Sequence, residues 1–504
     1  MYRQDDPNQM AFEDFYLPFG GKLRSDNRWV VLSKQIPWDE VERDYAMLFS
    51  GRDTGPAAKS ARLALGALII KERLSTTDRE TVEQIRENPY LQYFLGFPEY
   101  KDEEPFHASL MTHFRKRFDK ETLAKINESI VLAARQQARE AASEHDDTPD
   151  DPPPGNRGKL IVDATCTPAD ITYPTDLKLL NEARGKTEEM IDVMHHSLVG
   201  ECPKPRTYRQ KARREYLTIS KQKRPGHKKI RKAVRKQMGY LRRNLQTIDK
   251  MTSEGLLKHL SKRLYRLLLV IQELYRQQLW MYQNRVHRIE DRIVSLHQPH
   301  VRPIVRGKAK SPVEFGAKIS VSLVDGFSFV DNLSWDAFNE SNDLVGQIEA
   351  YRRRFGCYPQ SVHADQIYRT RANRRYCKDH GIRLSGPPLG RPKAATDSSS
   401  TQLKQARHQQ RQDELDRIAI EGKFGQGKRR FTLNRIMAKL AETSEAVILV
   451  SFIVMNLEKL LSQILLFALA VGQQVGIIFA AVTFCFYHGW QRQPQHLATN
   501  ATNC

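Results

Sequence analysis

The chain has 504 residues, with 80 Lys or Arg against 59 Asp or Glu, a net charge of +21, and 40% hydrophobic residues. That length exceeds what one ordinary core organises and excludes a small one-core binding module. The charge draws the molecule to polyanions, nucleic acid first, and the apolar content is enough to build real cores. The six cysteines (Cys166, Cys202, Cys357, Cys377, Cys485 and Cys504) form no Cys-x-x-Cys pair. Neither a disulfide framework nor a zinc module is expected from them, and a reducing compartment fits. Met1-Tyr2-Arg3-Gln4-Asp5-Asp6 lacks the basic start and apolar run of a signal peptide.

Residues 1–142 are expected to form an all-helical N-terminal domain. Leu63, Ala67, Ile70 and Leu74 share one face at helical spacing, and Thr77-x-x-Glu80 is a capping-box signature ahead of Val82 and Ile85. A further amphipathic run carries Leu123, Ile126, Ile130 and Val131. The Pro- and Asp-rich stretch at 143–157 reads as a linker. Lys159-Leu160-Ile161-Val162 then predicts a buried strand ending at Asp163. Between Cys202 and Met251 there are 18 Lys or Arg against two acids, a surplus of 16 out of the chain's 21. Leu257, Leu260, Leu264, Leu267, Ile271 and Leu274, with Ile289 and Ile293 beyond, predict one long helix with a coiled-coil-like seam. A basic helical insertion over about residues 177–300 is expected.

Strand signals resume with the alternation of Lys318 to Val324, the Asp325-Gly326 turn and the return strand Phe327 to Val330. A helix with Leu344, Ile348 and Tyr351 follows, then a strand from Ser361 that ends at Asp365. A basic helix from Thr370 to His380, a short strand at Ile382 to Leu384, and helices from Gln405 onward complete the order. Without the insertion, this is the order of an α/β, RNase H-like domain over 158–459: a mixed sheet covered by helices, its first and fourth strands parallel. Residues 460–504 form an apolar tail of open role. From Leu460 to Trp490 there is no charged residue, long enough to span a bilayer, but Gln473 and Gln474 interrupt it. A buried or docking helical hairpin around the two glutamines is expected there in preference to a membrane span.

Parallel neighbouring strands bring Asp163 and Asp365 together, and Glu421, on a helix beginning near Leu415, offers a third acid. Three crowded carboxylates raise each other's pKa unless a divalent cation neutralises them, and oxygen-only ligands favour Mg2+ or Mn2+. Arg417, Glu421 and Lys428 also stand at the intervals of a Tyr-x2-Arg-x3-Glu-x6-Lys signature, with Glu414 in the Tyr position. Gly422, Gly425 and Gly427 argue against a continuous helix through it and place Lys428 on a following turn. Two other patterns point elsewhere. Gly422-x4-Gly427-Lys428 imitates a phosphate-binding loop, but Arg429 stands where Ser or Thr is needed. His195-His196 and His297-x2-His300 lack companions at metal spacing and read as solvated or DNA-facing.

With the signature, the first motif Asp163-Ala164-Thr165-Cys166-Thr167-Pro168 followed by Tyr173-Pro174-Thr175-Asp176, and the second, Ala364-Asp365-Gln366-Ile367-Tyr368-Arg369, the chain resembles a bacterial insertion-sequence transposase of the DDE, RNase H-like class. The resemblance runs from the N-terminal helical region to about Lys459. It implies cleavage of element ends and joining of the 3′-hydroxyl to target DNA by phosphoryl transfer on two Mg2+ (or Mn2+) ions, with Asp163, Asp365 and Glu421 as catalytic residues and ligands. Arg417, Lys428 and Tyr368 are expected at the DNA. Arg231, Lys232, Arg235 and Lys236 are expected to supply sequence-independent backbone affinity, and the N-terminal domain to read the terminal inverted repeat. Implied partners are element-end and target DNA and further copies of the chain, with no membrane, in the cytoplasm at the nucleoid. A metal-dependent nuclease or resolvase on the same fold, or a catalytically decayed DNA-binding protein, are the alternatives.

Overall fold

The computed structural model describes residues 15–17, 21–49, 58–143, 155–305, 313–387 and 400–490. Most of the expected linker, 144–154, and the last part of the tail, 491–504, lie outside the described residues. Seven helices come first: α1 (Arg28–Gln35), α2 (Trp38–Met47), α3 (Ala61–Leu74), α4 (Asp78–Glu87), α5 (Pro89–Phe94), α6 (Leu110–Arg117) and α7 (Lys120–Ser143). Their apolar spacing works as read: Leu63, Ala67, Ile70, Val82, Ile85, Leu123, Ile126, Ile130 and Val131 are all buried. Thr77 caps α4, its hydroxyl accepting from the Glu80 amide at 3.2 Å.

Strand β1 (Lys159–Pro168) follows, and then α8 (Asp176–His195), α9 (Arg209–Ser220), α10 (His227–Ser253) and α11 (Lys262–Asn284). These four helices gather a core of their own, with Leu180, Ile191 and Met194 packed among Leu241, Ile248, Ile271 and Leu274. The single long helix expected from Leu257 to Ile293 is corrected. Left-handed Gly255 ends the preceding helical path, a 3-10 turn spans Leu256–His259, and Ser261 caps α11 by accepting from the Leu264 amide. Left-handed Arg285 closes α11, so Ile289 and Ile293 lie beyond it.

The remaining elements are β2 (Arg302–Val305), β3 (Val313–Val324), β4 (Phe327–Ser334), α12 (Leu344–Phe355), β5 (Ser361–His363), α13 (Arg371–Asp379), β6 (Arg383–Leu384), α14 (Ser400–Arg430) and α15 (Ala441–Trp490). The sheet runs β2-β3-β1-β5-β6, with β4 also paired to β3. Asp325 and Gly326 both have positive φ, 51° and 82°, as a two-residue hairpin turn between β3 and β4 requires. The pairs β1 with β3 and β3 with β4 are antiparallel, while β1 with β5 and β5 with β6 are parallel. Sequence patterning missed β2, a short strand antiparallel to β3 over Val313 to Gly316.

Helix α15 ties the N-terminal helices to the sheet. From Ala446 to Leu457 it is apolar on nearly every side and buried, the pattern of a helix inside a core and not on a surface. The stretch Ala441–Leu466 is long and apolar enough to cross a membrane by length and composition, but most of it is buried within the protein. One hydrophobic core runs from α1 and α3 through α7 and the sheet to α15. The expected hairpin at Gln473 and Gln474 is corrected: α15 continues unbroken to Trp490, because glutamine is a good helix former and no proline interrupts the run.

A polar cluster at the centre of this junction is fully buried. Asn456 donates to Asn127 Oδ1 at 2.9 Å and to Ser328 O at 2.8 Å, and its own carbonyl accepts from the Ser328 amide at 2.9 Å. Asn127 also donates to Ser328 O at 3.0 Å. Asn456→Ala would leave the Ser328 amide and the Asn127 carbonyl unpaired in the core, so a loss of about 3 kcal/mol is expected. Urea unfolding measures it, and a loss below about 1 kcal/mol would show that the cluster is dispensable.

Candidate active site

Asp163 and Asp365 are brought together by sheet register. The parallel pairing of β1 with β5 stops at Ile161 opposite His363, so each aspartate lies two residues beyond the last pair and at the same level. β1 itself does not end at Asp163 as expected. Asp163 faces Val321, and residues through Pro168 remain paired to β3, so the carboxylate projects from mid-strand where the shorter β5 has ended. Asp163 Oδ1 accepts from the Ala164 amide at 2.8 Å. Asp365 caps a 3-10 turn, Gln366–Tyr368, by accepting from the Gln366 amide at 2.7 Å.

Helix α14 runs without a break from Ser400 to Arg430, which corrects the expected interruption at the glycines. Packing explains it: a Cβ on Gly427 would meet Leu433 Cδ1 at 2.6 Å and Met455 Sδ at 3.1 Å, so the glycine lets α14 close on α15. On a continuous helix Arg417, Glu421 and Lys428 fall within about 40° of one another. Arg417 Nη1 lies 3.6 Å from Asp365 Oδ1. Glu421 is exposed one turn further along, and among the described residues no three His, Cys, Asp or Glu are gathered closely enough to hold a metal.

Three residues that sequence patterning did not single out fix α14 against the sheet. Asp413 forms a two-pronged pair with Arg383 of β6 at 2.7 and 2.9 Å, and Asp416 pairs with Lys159 of β1 at 2.7 Å. Fully buried His363 of β5 lies between them, 3.7 Å from Asp413 and 3.8 Å from Asp416, with Nε2 2.9 Å from Ser361 Oγ. Burial holds this imidazole below its ordinary value against the pull of the two carboxylates. The spacing of three between the two acids on one helix was the available signal, but it identifies no partner.

Burial pushes the Asp163 carboxyl from 3.8 up to about 6. The Glu340 and Asp365 carboxylates add to the shift, and the Ala164 amide and Arg417 oppose it. Glu340, which no sequence motif marks, is itself paired to Lys318 at 3.3 Å. Because the folded value lies above the unfolded one, ionising Asp163 works against the fold: the penalty grows as pH rises from about 4 to about 6 and is complete above that. In metal-free buffer Asp163→Asn is therefore expected to gain about 2 kcal/mol of stability at pH 8 and about a third of that at pH 4.5. Thermal unfolding at the two pH values checks this; equal gains at both would refute a charge origin.

Tyr368 is not at a DNA-accessible surface. It is fully buried, with burial holding its hydroxyl well above the ordinary range, because the turn after Asp365 directs the ring inward. Lys428 is half-buried on α14. Arg231, Lys232, Arg235 and Lys236 form an exposed row on α10, opposite the buried Ala233, Val234, Gln237 and Met238. Arg231 stacks over the Tyr282 ring at 4.1 Å, and Lys236 pairs with Glu215 at 2.8 Å. The solvated reading of the histidines is corrected in part. His195 is buried with Nε2 2.9 Å from Cys202 O, and His300 packs edge-on to Trp335, where burial lowers it to about 4.

Residues 362–458, which include Asp365, Arg417, Glu421 and Lys428, match the family model described as Transposase DDE domain. Residues 18–117 match the one described as Transposase domain (DUF772). The Rhizobium meliloti protein described as uncharacterized protein ORF8 in the nfe locus is 32% identical over 154 residues, which cover 31% of this chain and 68% of that protein. No solved structure matches. The chain belongs to the DDE transposase family.

Proposed function

We propose that this transposase cleaves the ends of its own insertion element and joins the freed 3′-hydroxyl to target DNA, with Asp163, Asp365 and Glu421 as its catalytic carboxylates. The observation that carries the proposal is the common level of Asp163 and Asp365, each two residues past the last β1–β5 pair. The order β4-β3-β1-β5-β6, antiparallel on one side of β1 and parallel on the other, supports reading the sheet as RNase H-like. The separate core of α8, α10 and α11 supports reading about 177–300 as a helical insertion. Residues 1–142 are then the reader of the terminal repeat.

The donors at the site are carboxylate oxygens, and Asp163 is largely buried with its neighbour's amide as its hydrogen-bond donor. Both features suit a hard divalent cation, Mg2+ or Mn2+, the ordinary cofactors of this family. Asp163 and Asp365 would hold two such ions, with Glu421 completing the set from α14. When bound, they supply charge neutralisation at the phosphate and a more acidic attacking hydroxyl. The chain's own residues do the rest. Arg417 and Lys428 orient phosphates beside the scissile bond as fixed cations, and the Asp413–Arg383 and Asp416–Lys159 pairs keep α14 seated while they do so. The exposed row on α10 extends the backbone contact. Element-end DNA, target DNA and further copies of the chain are the partners, in the cytoplasm at the nucleoid.

Incubation of the protein with labelled element-end DNA, a target plasmid and Mg2+ tests the proposal. Joined product is expected. Cut product alone would make the protein a nuclease or resolvase, and binding alone a decayed DNA-binding protein.

A further inference from the structure

We infer that Arg417 is a tethered counter-ion for the aspartate pair in the metal-free protein, and that metal and DNA compete it away together, the cation taking its place at Asp365 and a DNA phosphate taking the guanidinium. The inference rests on the functional reading above. Among the described residues Arg417 is the one cation within 4 Å of either aspartate, with Nη1 3.6 Å from Asp365 Oδ1. That separation is an ion pair without a formed hydrogen bond, and the buried Nε has no hydrogen-bond partner. A guanidinium has five donors in a rigid fork, so this one is held in place but poorly satisfied.

The surroundings explain why Arg417 rests there. Two acids of its own helix are already engaged, Asp413 by Arg383 and Gln409, and Asp416 by Lys159 and Gln412, while Glu414 and Glu421, three residues before it and four after, are exposed to solvent. Arg369, the other guanidinium near Asp365, packs against Gly386 so closely that a Cβ there would meet its Cζ at 2.0 Å. Its Nη2 is turned to Ala364 O at 3.4 Å. Among the described residues Asp365 is the carboxylate that lies within 4 Å of Arg417, and Arg417 also offsets the charge of Asp163.

A divalent cation on the same carboxylates would meet this positive charge at close range, which weakens its binding until Arg417 leaves. A phosphate accepts two parallel guanidinium hydrogen bonds and is a better partner than a half-exposed carboxylate at 3.6 Å. DNA binding therefore frees Asp365 for the cation, and by linkage the cation must strengthen DNA binding by the same factor.

The test is Mn2+ binding to the full-length chain, read from the spin-resonance signal of free Mn2+, with and without an element-end duplex. Arg417→Gln is expected to bind Mn2+ about fivefold more tightly than wild type in the absence of DNA. Arg417→Lys, which keeps the charge, should stay near wild type. The duplex should tighten Mn2+ binding to the wild type and leave Arg417→Gln unchanged. Asp163→Asn and Asp365→Asn should each lose the site. If those two variants bind Mn2+ as the wild type does, the metal reading of the site fails, and this inference with it. If they lose the site but Arg417→Gln binds no more tightly than wild type, at an unchanged urea midpoint, the inference alone is overturned.

Discussion

Asp163→Ala and Asp365→Ala are each expected to reduce cleavage and joining by about a thousandfold or more, equivalent to roughly 4 kcal/mol of transition-state stabilisation. Affinity for element-end DNA should change by no more than about fivefold, the coupling expected between metal and DNA, because the basic surface that supplies most backbone affinity is carried by α10 and not by β1 or β5. The two substitutions differ in their effect on the fold. Removing Asp163 relieves a buried carboxylate and should not destabilise the sheet, whereas removing Asp365 deletes the cap of the Gln366–Tyr368 turn and should cost about 1 kcal/mol. Glu421→Ala should be as inactive as either and neutral to stability, since Glu421 is exposed. Strand transfer is read from joined plasmid, and binding from fluorescence anisotropy at fixed salt. Near-wild-type joining by any one variant would remove that residue from the catalytic set. For Glu421 that outcome would point to Glu340, the carboxylate that already acts on Asp163 in the fold.

The meeting of Asp163 and Asp365 was legible because it depends on two short strand signals, each ending on an acid, and on an element order that makes those strands neighbours. The length of β1 was not legible. Ala164 to Pro168 show no alternation, and they are strand because β3 pairs with every one of them. Helix α14 shows the opposite failure. Three glycines in six residues read locally as a break, yet at Gly427 the approach of Leu433 and Met455 leaves no room for a Cβ, and tertiary packing outweighs the helix propensity. Where no such approach exists the propensity should reassert itself. Nothing lies within 4 Å of a Cβ on Gly422, so Gly422→Ala is expected to stabilise the protein by roughly 0.5–1 kcal/mol while Gly427→Ala destabilises it. Chemical unfolding of the two variants gives the comparison. The His363, Asp413 and Asp416 cluster was not legible for another reason: its charged partners come from separate elements, and no spacing along one element encodes an interaction across three.

Neutralising the row on α10 is expected to weaken binding to all DNA sequences alike, and the fold indicates how the effect divides among its four members. Each cation withdrawn from a phosphate should flatten the log–log salt dependence by about 0.9. Lys232 and Arg235 are exposed and form no ion pair among the described residues, so their full charge is available to phosphates. Arg231 is partly committed to Tyr282, over whose ring it stacks while donating to the backbone oxygen at 3.1 Å, and Lys236 to Glu215. The double variant Lys232→Gln/Arg235→Gln should therefore lower the slope by about 1.8. Adding Arg231→Gln and Lys236→Gln should lower it by less than that again, because Tyr282 and Glu215 already hold part of their charge. Specificity for the element end over random duplex should be unchanged, since backbone contacts position the protein without reading sequence. Anisotropy titrations from low to physiological salt measure both quantities. An unchanged slope in the quadruple variant would move the DNA off α10, and a loss confined to element-end sequence would mean that this row reads bases.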